Sequence, residues 1–234
     1  MQVVGFAAGP LQTNCYIISP SDSTSNIASD GIRDAAPCII VDPGMGSAQA
    51  VVKTCEEKNW VPEAIVLTHG HIDHIRDAGE LAATYDVPVF VHDADRMIVV
   101  QPELGVDGQL AAMFQVSDMQ VPEEIRSLEV DTEWKTAGLT LTAQHAPGHS
   151  PGCVVIRVSD GAQQLLLSGD VLFAGAIGRT DLPGGSKEDM ARSLREVIMP
   201  LEDELDVLPG HGSTTTMAYE KQHNVYLRAL KNAR

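Results

Sequence analysis

The sequence predicts an α/β domain, and three observations predict it. Short apolar runs bounded by turn residues recur along the chain, as buried strands do. Amphipathic stretches with helical spacing stand between them. A length of 234 residues, 44% hydrophobic and 21% charged, suits a soluble chain with a sizeable core and reads as one unit over residues 1–234.

Residues 19 to 37, rich in Ser, Asp and Ala, read as an extended hairpin loop without chemistry. Cys38 to Val41 follows as a strand. Beyond Ser47, an expected N-cap, Ala48, Val51, Val52 and Cys55 fall at i, i+3, i+4 and i+7 and form one apolar helical stripe. Ala64 to Leu67 is the next strand; Ile75, Ala78, Leu81 and Ala82 form a further stripe, and Val87 to Val91 a further strand.

Gln101 to Glu124 mixes Met, Gln, Pro and acidic residues and reads as a loop or short helix over a site, with core packing the alternative use of Met113 and Met119. Leu139 to Thr142 alternates with period two, as a half-buried strand does. Cys153 to Val158 and Gln164 to Leu167 are continuous apolar runs, so those strands have both faces to cover. After Ser186, whose spacing to Asp189 suits a capping box, Met190, Leu194, Val197 and Ile198 share a helical face that stops at Pro200.

The net charge of −16 repels phosphate backbones and anionic lipid surfaces, which argues against nucleic acid or membrane partners. Met1 to Pro10 lacks the features of a signal peptide and no run reaches membrane-spanning length, so a cytoplasmic protein is expected. Cys15, Cys38, Cys55 and Cys153 are scattered without a C-x-x-C pair and read as reduced thiols, Cys153 as a small buried hydrophobe.

The chemistry concentrates in Thr68-His69-Gly70-His71-Ile72-Asp73-His74, directly after a strand. Three further turns carry one potential ligand each: His149 in Pro147-Gly148-His149-Ser150-Pro151-Gly152, Asp170 in Ser168-Gly169-Asp170, and His211 in Pro209-Gly210-His211-Gly212. Small flanking residues let the backbone turn sharply there and aim a side chain into a shared cleft. Imidazole and carboxylate without cysteine suit zinc, iron or manganese, and the set exceeds the three or four protein ligands of one catalytic zinc. Two divalent ions are therefore expected. A carboxylate can bridge two cations, so Asp170 is the candidate bridge. No Ser carries the Gly-x-Ser-x-Gly elbow, which disfavours serine hydrolysis.

This pattern, His-x-His-x-Asp-His followed by separate His, Asp and His turns, resembles the metallo-β-lactamase superfamily, from Asn14-Cys15-Tyr16 through Val41-Asp42-Pro43-Gly44 to His211. The run Phe173 to Gly185, with Gly178-Arg179-Thr180-Asp181, is similar to the short bacterial glyoxalase II-like, or hydroxyacylglutathione hydrolase-like, enzymes. The resemblance implies a four-layer αββα sandwich with the site at one edge between two sheets. It implies His69, His71 and His149 on one metal, Asp73, His74 and His211 on the other, Asp170 joining them, and catalytic roles for Asp73 and Asp170. A metal-bridging hydroxide would then cleave a small-molecule hydroxyacyl thioester such as S-lactoylglutathione. Asp42 reads either as an acceptor that orients a ligand imidazole or as an ordinary turn carboxylate. Arg179 reads either as a substrate anchor or as the partner of Asp181.

The sequence departs from the longer enzymes of this kind: only 23 residues follow His211, so their C-terminal glutathione-gripping domain is not expected here, and Asp181 stands where they carry an aromatic residue. Two other functions stay open. A persulfide dioxygenase of the same fold would use a single iron on His69, His149 and Asp170, although the Asp-Tyr pair usual after its last His turn is here Gly212-Ser213. A non-catalytic metal-binding module is the other. His92, His145 and His223 read as structural or surface residues.

Overall fold

The computed structural model of the protein describes residues 1–21 and 35–232. Two six-stranded sheets lie at its centre. In the first, β1 (Gln2–Ala8), β2 (Thr13–Ser19) and β3 (Ala36–Val41) pair antiparallel. β4 (Trp60–Val66), β5 (Val89–Val91) and β6 (Ile125–Ser127) then add in parallel. Parallel neighbours need crossovers, usually helical. α1 (Ala48–Lys58) links β3 to β4; α2 (Ile72–Ile75) and α3 (Ala78–Tyr85) link β4 to β5; α4 (Asp93–Val100) and α5 (Gly108–Met113) lie before β6.

The second sheet contains β7 (Glu133–Thr136), β8 (Leu139–His145), β9 (Val154–Ser159) and β10 (Gln164–Gly169), antiparallel in turn. A small ribbon, β11 (Leu172–Phe173) with β12 (Ala176–Ile177), follows. α6 (Lys187–Ser193) then crosses to β13 (Asp206–Pro209), parallel to β10, and β14 (Thr215–Thr216) closes that edge. α7 (Met217–His223) and α8 (Val225–Asn232) end the described chain.

The continuous apolar runs are explained by their two faces. Ile39 and Val41 of β3, Ala64 and Val66 of β4, Ile156 and Val158 of β9, and Leu165 and Leu167 of β10 meet between the sheets. The residues between them point outward. Ile40 and Ile65 pack against Val51 and Cys55 of α1 and Leu81 of α3, while Val155 and Leu166 pack against Met190, Leu194 and Leu227. Helix, sheet, sheet and helix thus form four layers around three apolar clusters, the αββα arrangement expected. β8 has the half-buried alternation expected of it.

Several local expectations need correction. Ser47 makes no capping bond; the first backbone N–H of α1, on Ala48, instead donates to Asp77 Oδ2 at 3.1 Å, a carboxylate brought from the next crossover. The stripe from Ile75 to Ala82 is two elements, because α2 ends after one turn and Arg76-Asp77 separates it from α3. Ser186 does cap α6, accepting from Asp189 N–H at 3.1 Å, but Asp189 bonds Arg192 rather than closing a reciprocal box. The helix then widens into a π turn, Leu194–Ile198. The hairpin loop read at 19 to 37 lies largely outside the described residues, which resume at Ala35. Gln101 to Glu124 holds α5 and two 3-10 turns, Pro102–Gly105 and Val116–Asp118. Among the described residues no helix is long and apolar enough to cross a membrane.

Candidate metal centre

The strand ends bring the candidate ligands together. Asp42 directly follows β3, β4 runs toward His69 and α2, β8 precedes His149 by four residues, Asp170 directly follows β10, and β13 runs toward His211. In α/β sheets this carboxyl end is where ligand-binding groups gather. Backbone bonds tie the sheets there, Asn14 N–H donating to Gly210 O at 2.7 Å and Val154 N–H to Thr68 O at 3.0 Å, and Asn14 Nδ2 and Tyr16 Oη both donate to Pro209 O. Gly210 is dictated by crowding, since a Cβ on it would overlap Asp170 Oδ1 and stand 2.7 Å from His74 Cε1.

His69, His71 and His149 form one group and Asp73, His74 and His211 a second, the donor atoms of each lying within 4.8 Å of one another. His71 Nδ1 and His149 Nε2 are 2.8 Å apart. Asp170 stands between the groups: Oδ2 is 3.3 Å from His149 Nε2 and 3.5 Å from His211 Nε2, and Oδ1 is 3.4 Å from His74 Nε2. Asp73 Oδ2 is 3.2 Å from His211 Nε2 and 3.4 Å from His74 Nε2.

A set of polar atoms has been left for something else to satisfy. His69 Nε2, His71 Nε2, His74 Nε2 and Asp170 Oδ1 are buried without a hydrogen-bond partner among the described residues. An orphaned buried polar atom costs about 1–3 kcal/mol, and of the five such side-chain atoms among the described residues all but Ser47 Oγ belong to this cluster. Divalent cations would satisfy the inward-facing atoms, so the donor set fits a binuclear site.

Four of the five imidazoles have a partner at Nδ1, whereas the Nδ1 of His71 faces His149 and its Nε2 is unbonded. His74 Nδ1 lies 3.0 Å from Asp42 Oδ2, which also accepts from Thr68 Oγ1 at 2.6 Å, while Asp42 Oδ1 accepts from Thr68 N–H at 2.8 Å. Asp42 with His69 and His74 is close enough to form a third potential cation group. The two oxygens of Asp42 are already engaged by Thr68 N–H, Thr68 Oγ1 and His74 Nδ1. Thr68 Oγ1 lies 3.1 Å from His69 Nδ1, His149 Nδ1 is 2.8 Å from Arg179 O, and His211 Nδ1 is 3.1 Å from Leu11 O. Thr13 Oγ1 donates to Asp73 Oδ2 at 2.8 Å. Such partners fix imidazole orientation and tautomer.

Charge follows from this packing. Burial pushes His69 well below its usual range and His71 down to about 4. Burial opposes protonation of His74 too, but Asp73, Asp170 and the bond to Asp42 outweigh it and lift it to about 9. His211 rises to about 10, burial being outweighed by Asp170 and Asp73. Burial would raise the two carboxyls, yet the His74 charge and the contacts from His211 hold Asp73 and Asp170 below the ordinary range.

A cavity of about 520 Å³ opens above the cluster, floored by His71, Asp73, His149, Asp170 and His211. Its walls are apolar, including Ile72, Phe173, Ile177 and Leu182. Val106, Leu110 and Phe114 come from the segment expected to lie over the site. Arg179 also borders the cavity, but its guanidinium is forked onto Asp181, Nε–Oδ1 2.7 Å and Nη2–Oδ2 2.9 Å.

Sequence reasoning missed Thr13, Thr68 and the carbonyls of Leu11 and Arg179. Thr68 opens one named motif and Thr13 borders another, whereas a backbone carbonyl has no sequence signal. His92 and His145 stack on each other, ring centroids 4.2 Å apart, and His223 stacks on Tyr219, all outside the two groups. The four cysteines are free and buried.

The sequence pattern of the family described as the metallo-beta-lactamase superfamily matches residues 31–211. The probable metallo-hydrolase YqgX of Bacillus subtilis is 34% identical, over 95% of this chain and 95% of its own. Hydroxyacylglutathione hydrolase GloC of Haemophilus influenzae is 32% identical, over 84% of this chain and 90% of its own. Among solved structures, the B3 metallo-beta-lactamase BLEG-1 superposes with a TM-score of 0.78 at 30% identity, covering 97% of this chain and 99% of its own. TTHA1623 in a di-iron-bound form gives 0.73 at 30% identity, covering 96% and 100%.

Proposed function

The chain belongs to the metallo-beta-lactamase superfamily, and from that premise we propose that it is a metal-dependent thioester hydrolase of the glyoxalase II kind, acting on hydroxyacyl-thiols such as S-lactoylglutathione. The observation that carries this reading is the convergence of two ligand groups on Asp170, with inward-facing nitrogens left unbonded. His69, His71 and His149 would hold one divalent ion, Asp73, His74 and His211 the other, and Asp170 would touch both; zinc is the first choice, with iron and manganese suited by the same donors. When bound, such ions would supply Lewis acidity and would lower the pKa of water toward ~7.

The chain's own residues do the rest. Asp42 and the carbonyls of Leu11 and Arg179 hold three of the imidazoles in place, while Asp73 and Asp170 are kept ionised and balance the cations. Isoleucine, leucine and phenylalanine give the cavity an apolar lining and a size for a short acyl group. A thiol has a pKa of about 8.5, so a thioester's leaving group needs no strong acid from the protein. The two serines beside the ligands are committed elsewhere: Ser150 Oγ donates to Asp95 Oδ2 at 2.6 Å, and Ser168 Oγ to Leu172 O at 2.7 Å. Both are fully buried and neither lines the cavity, so a substrate there does not meet them. The hydroxyacylglutathione hydrolase among the relatives supports the substrate class.

The test is metal content per chain, measured beside hydrolysis of S-lactoylglutathione, oxygen uptake with glutathione persulfide, and β-lactam opening. About two metals with thioester cleavage is the expected result. One iron with oxygen consumption would replace the reading by a mononuclear dioxygenase, to which His71, His74 and His211 would be superfluous. Bound metal without turnover would make the chain a binding module.

A further inference from the structure

We propose that Asp95, which lies outside both ligand groups, is a positioning residue for one of them: it fastens the turn carrying His69 and His71 to the turn carrying His149. The inference rests on the reading of these histidines as metal ligands and is independent of which substrate is cleaved.

Asp95 sits in the first turn of α4 with no exposed surface. Its Oδ2 accepts from Gly70 N–H at 2.8 Å and from Ser150 Oγ at 2.6 Å, and its Oδ1 from Gly152 N–H at 2.6 Å. Gly70 separates His69 from His71, and Ser150 adjoins His149. One turn follows β4 of the first sheet and the other joins β8 to β9 of the second. A single carboxylate therefore spans the two sheets at the point where this triad must close. The relevant donors are neutral, and none of the three bonds goes to a histidine ring.

The surrounding sequence is shaped to admit it. A Cβ on Gly152 would stand 2.5 Å from Asp95 Cγ, and one on Gly70 would stand 3.1 Å from Asp95 Cβ. The glycine inside His69-Gly70-His71 and the one closing the His149 turn are thus where the carboxylate approaches the backbone. Only a carboxylate accepts at both oxygens. Asparagine in the same place would turn an N–H toward one or more of the three donors, breaking the clamp while keeping its volume.

The experiment is zinc titration of the metal-free full chain in two backgrounds. His211→Ala leaves the His69, His71, His149 group intact, and His149→Ala leaves the Asp73, His74, His211 group intact. Adding Asp95→Asn should lower zinc affinity by about tenfold or more in the first background, the range seen when partners of metal ligands are removed, and by less than about twofold in the second. Ser150→Ala, which deletes one donor and spares the carboxylate, should give the same selectivity with a smaller loss. Glu220→Gln serves as a matched control, because Glu220 is equally buried and accepts from Gly175 N–H, Thr215 Oγ1 and Asn224 Nδ2, away from both ligand groups. It should lower the melting temperature without distinguishing the backgrounds. Equal losses in both backgrounds for Asp95→Asn, no loss in either, or the same selectivity from Glu220→Gln would overturn the proposal, as would a wild-type chain that takes up no zinc. Failure to cleave thioesters would leave it standing.

Discussion

His149 Nδ1 lies 2.8 Å from the carbonyl oxygen of Arg179, so the residue at the cavity rim is joined by its main chain to a candidate ligand. Its side chain does something different. The guanidinium is forked onto Asp181, and that bond holds the Asp181 carboxyl down to about 2. Both side chains are mostly exposed, 62% and 63%.

Separating these two roles gives the first prediction. Arg179→Ala removes the guanidinium but keeps the carbonyl, so metal content should stay at about two per chain while KM for an anionic thioester rises. Asp181→Asn should act in the opposite sense, freeing the guanidinium for substrate and lowering KM. Steady-state kinetics on both variants, with metal analysis alongside, checks this; equal KM values in all three proteins would leave Arg179 with Asp181 as its sole partner.

His74→Ala is expected to divide the centre. It removes one member of the second group and leaves His69, His71 and His149 complete. Metal content should fall from about two to about one per chain, with most of the rate lost. Elemental analysis after gel filtration reads the occupancy, and full retention of two metals would show that His74 is no ligand.

Asp42 and Thr68 should matter to a lesser degree, because they act through imidazoles. Asp42→Asn turns a neutral amide toward His74 Nδ1 and Thr68, and loss of such a partner costs about 10–100-fold in metal affinity or activity. Thr68→Val removes the hydroxyl that joins Asp42 to His69 Nδ1 and should cost less. Competitive titration against a zinc-binding dye ranks the two variants.

Which of these features the sequence revealed follows from how each signal travels. His69, His71, Asp73 and His74 are legible because they crowd onto one strand end, and His149, Asp170 and His211 because each sits on a glycine-marked turn. The inner strands are legible since Ile39 to Val41 and Leu165 to Leu167 are buried on both faces. β1 was missed because its alternation includes Gly5 and exposed Val3, the pattern of an edge strand with one wet face. Ser47 looked like a cap, but the carboxylate of Asp77 reached the helix end first through a contact no local window contains. The carbonyls of Leu11 and Arg179 were invisible for a deeper reason: every residue has one, and only the fold decides which faces a ligand.

Proton competition gives the last prediction. In the metal-free chain His74 is lifted to about 9 and His211 to about 10, against about 6.5 for an unfolded histidine. A folded pKa above the unfolded one stabilises the folded chain fully below ~6.5, and that stabilisation is lost as pH rises through the folded values. The metal-free protein should therefore lose stability to urea between pH 7 and about 10. Metal binding requires both imidazoles neutral, so it must expel those protons, and apparent affinity should rise with pH over the same window. Imidazole resonances followed by NMR should show two groups titrating near 9 and 10 without zinc, and neither titrating there once zinc is bound. If both instead titrate near 6.5 in the metal-free chain, the carboxylates Asp73 and Asp170 do not hold these rings charged, and the close packing of the second group around Asp170 is wrong.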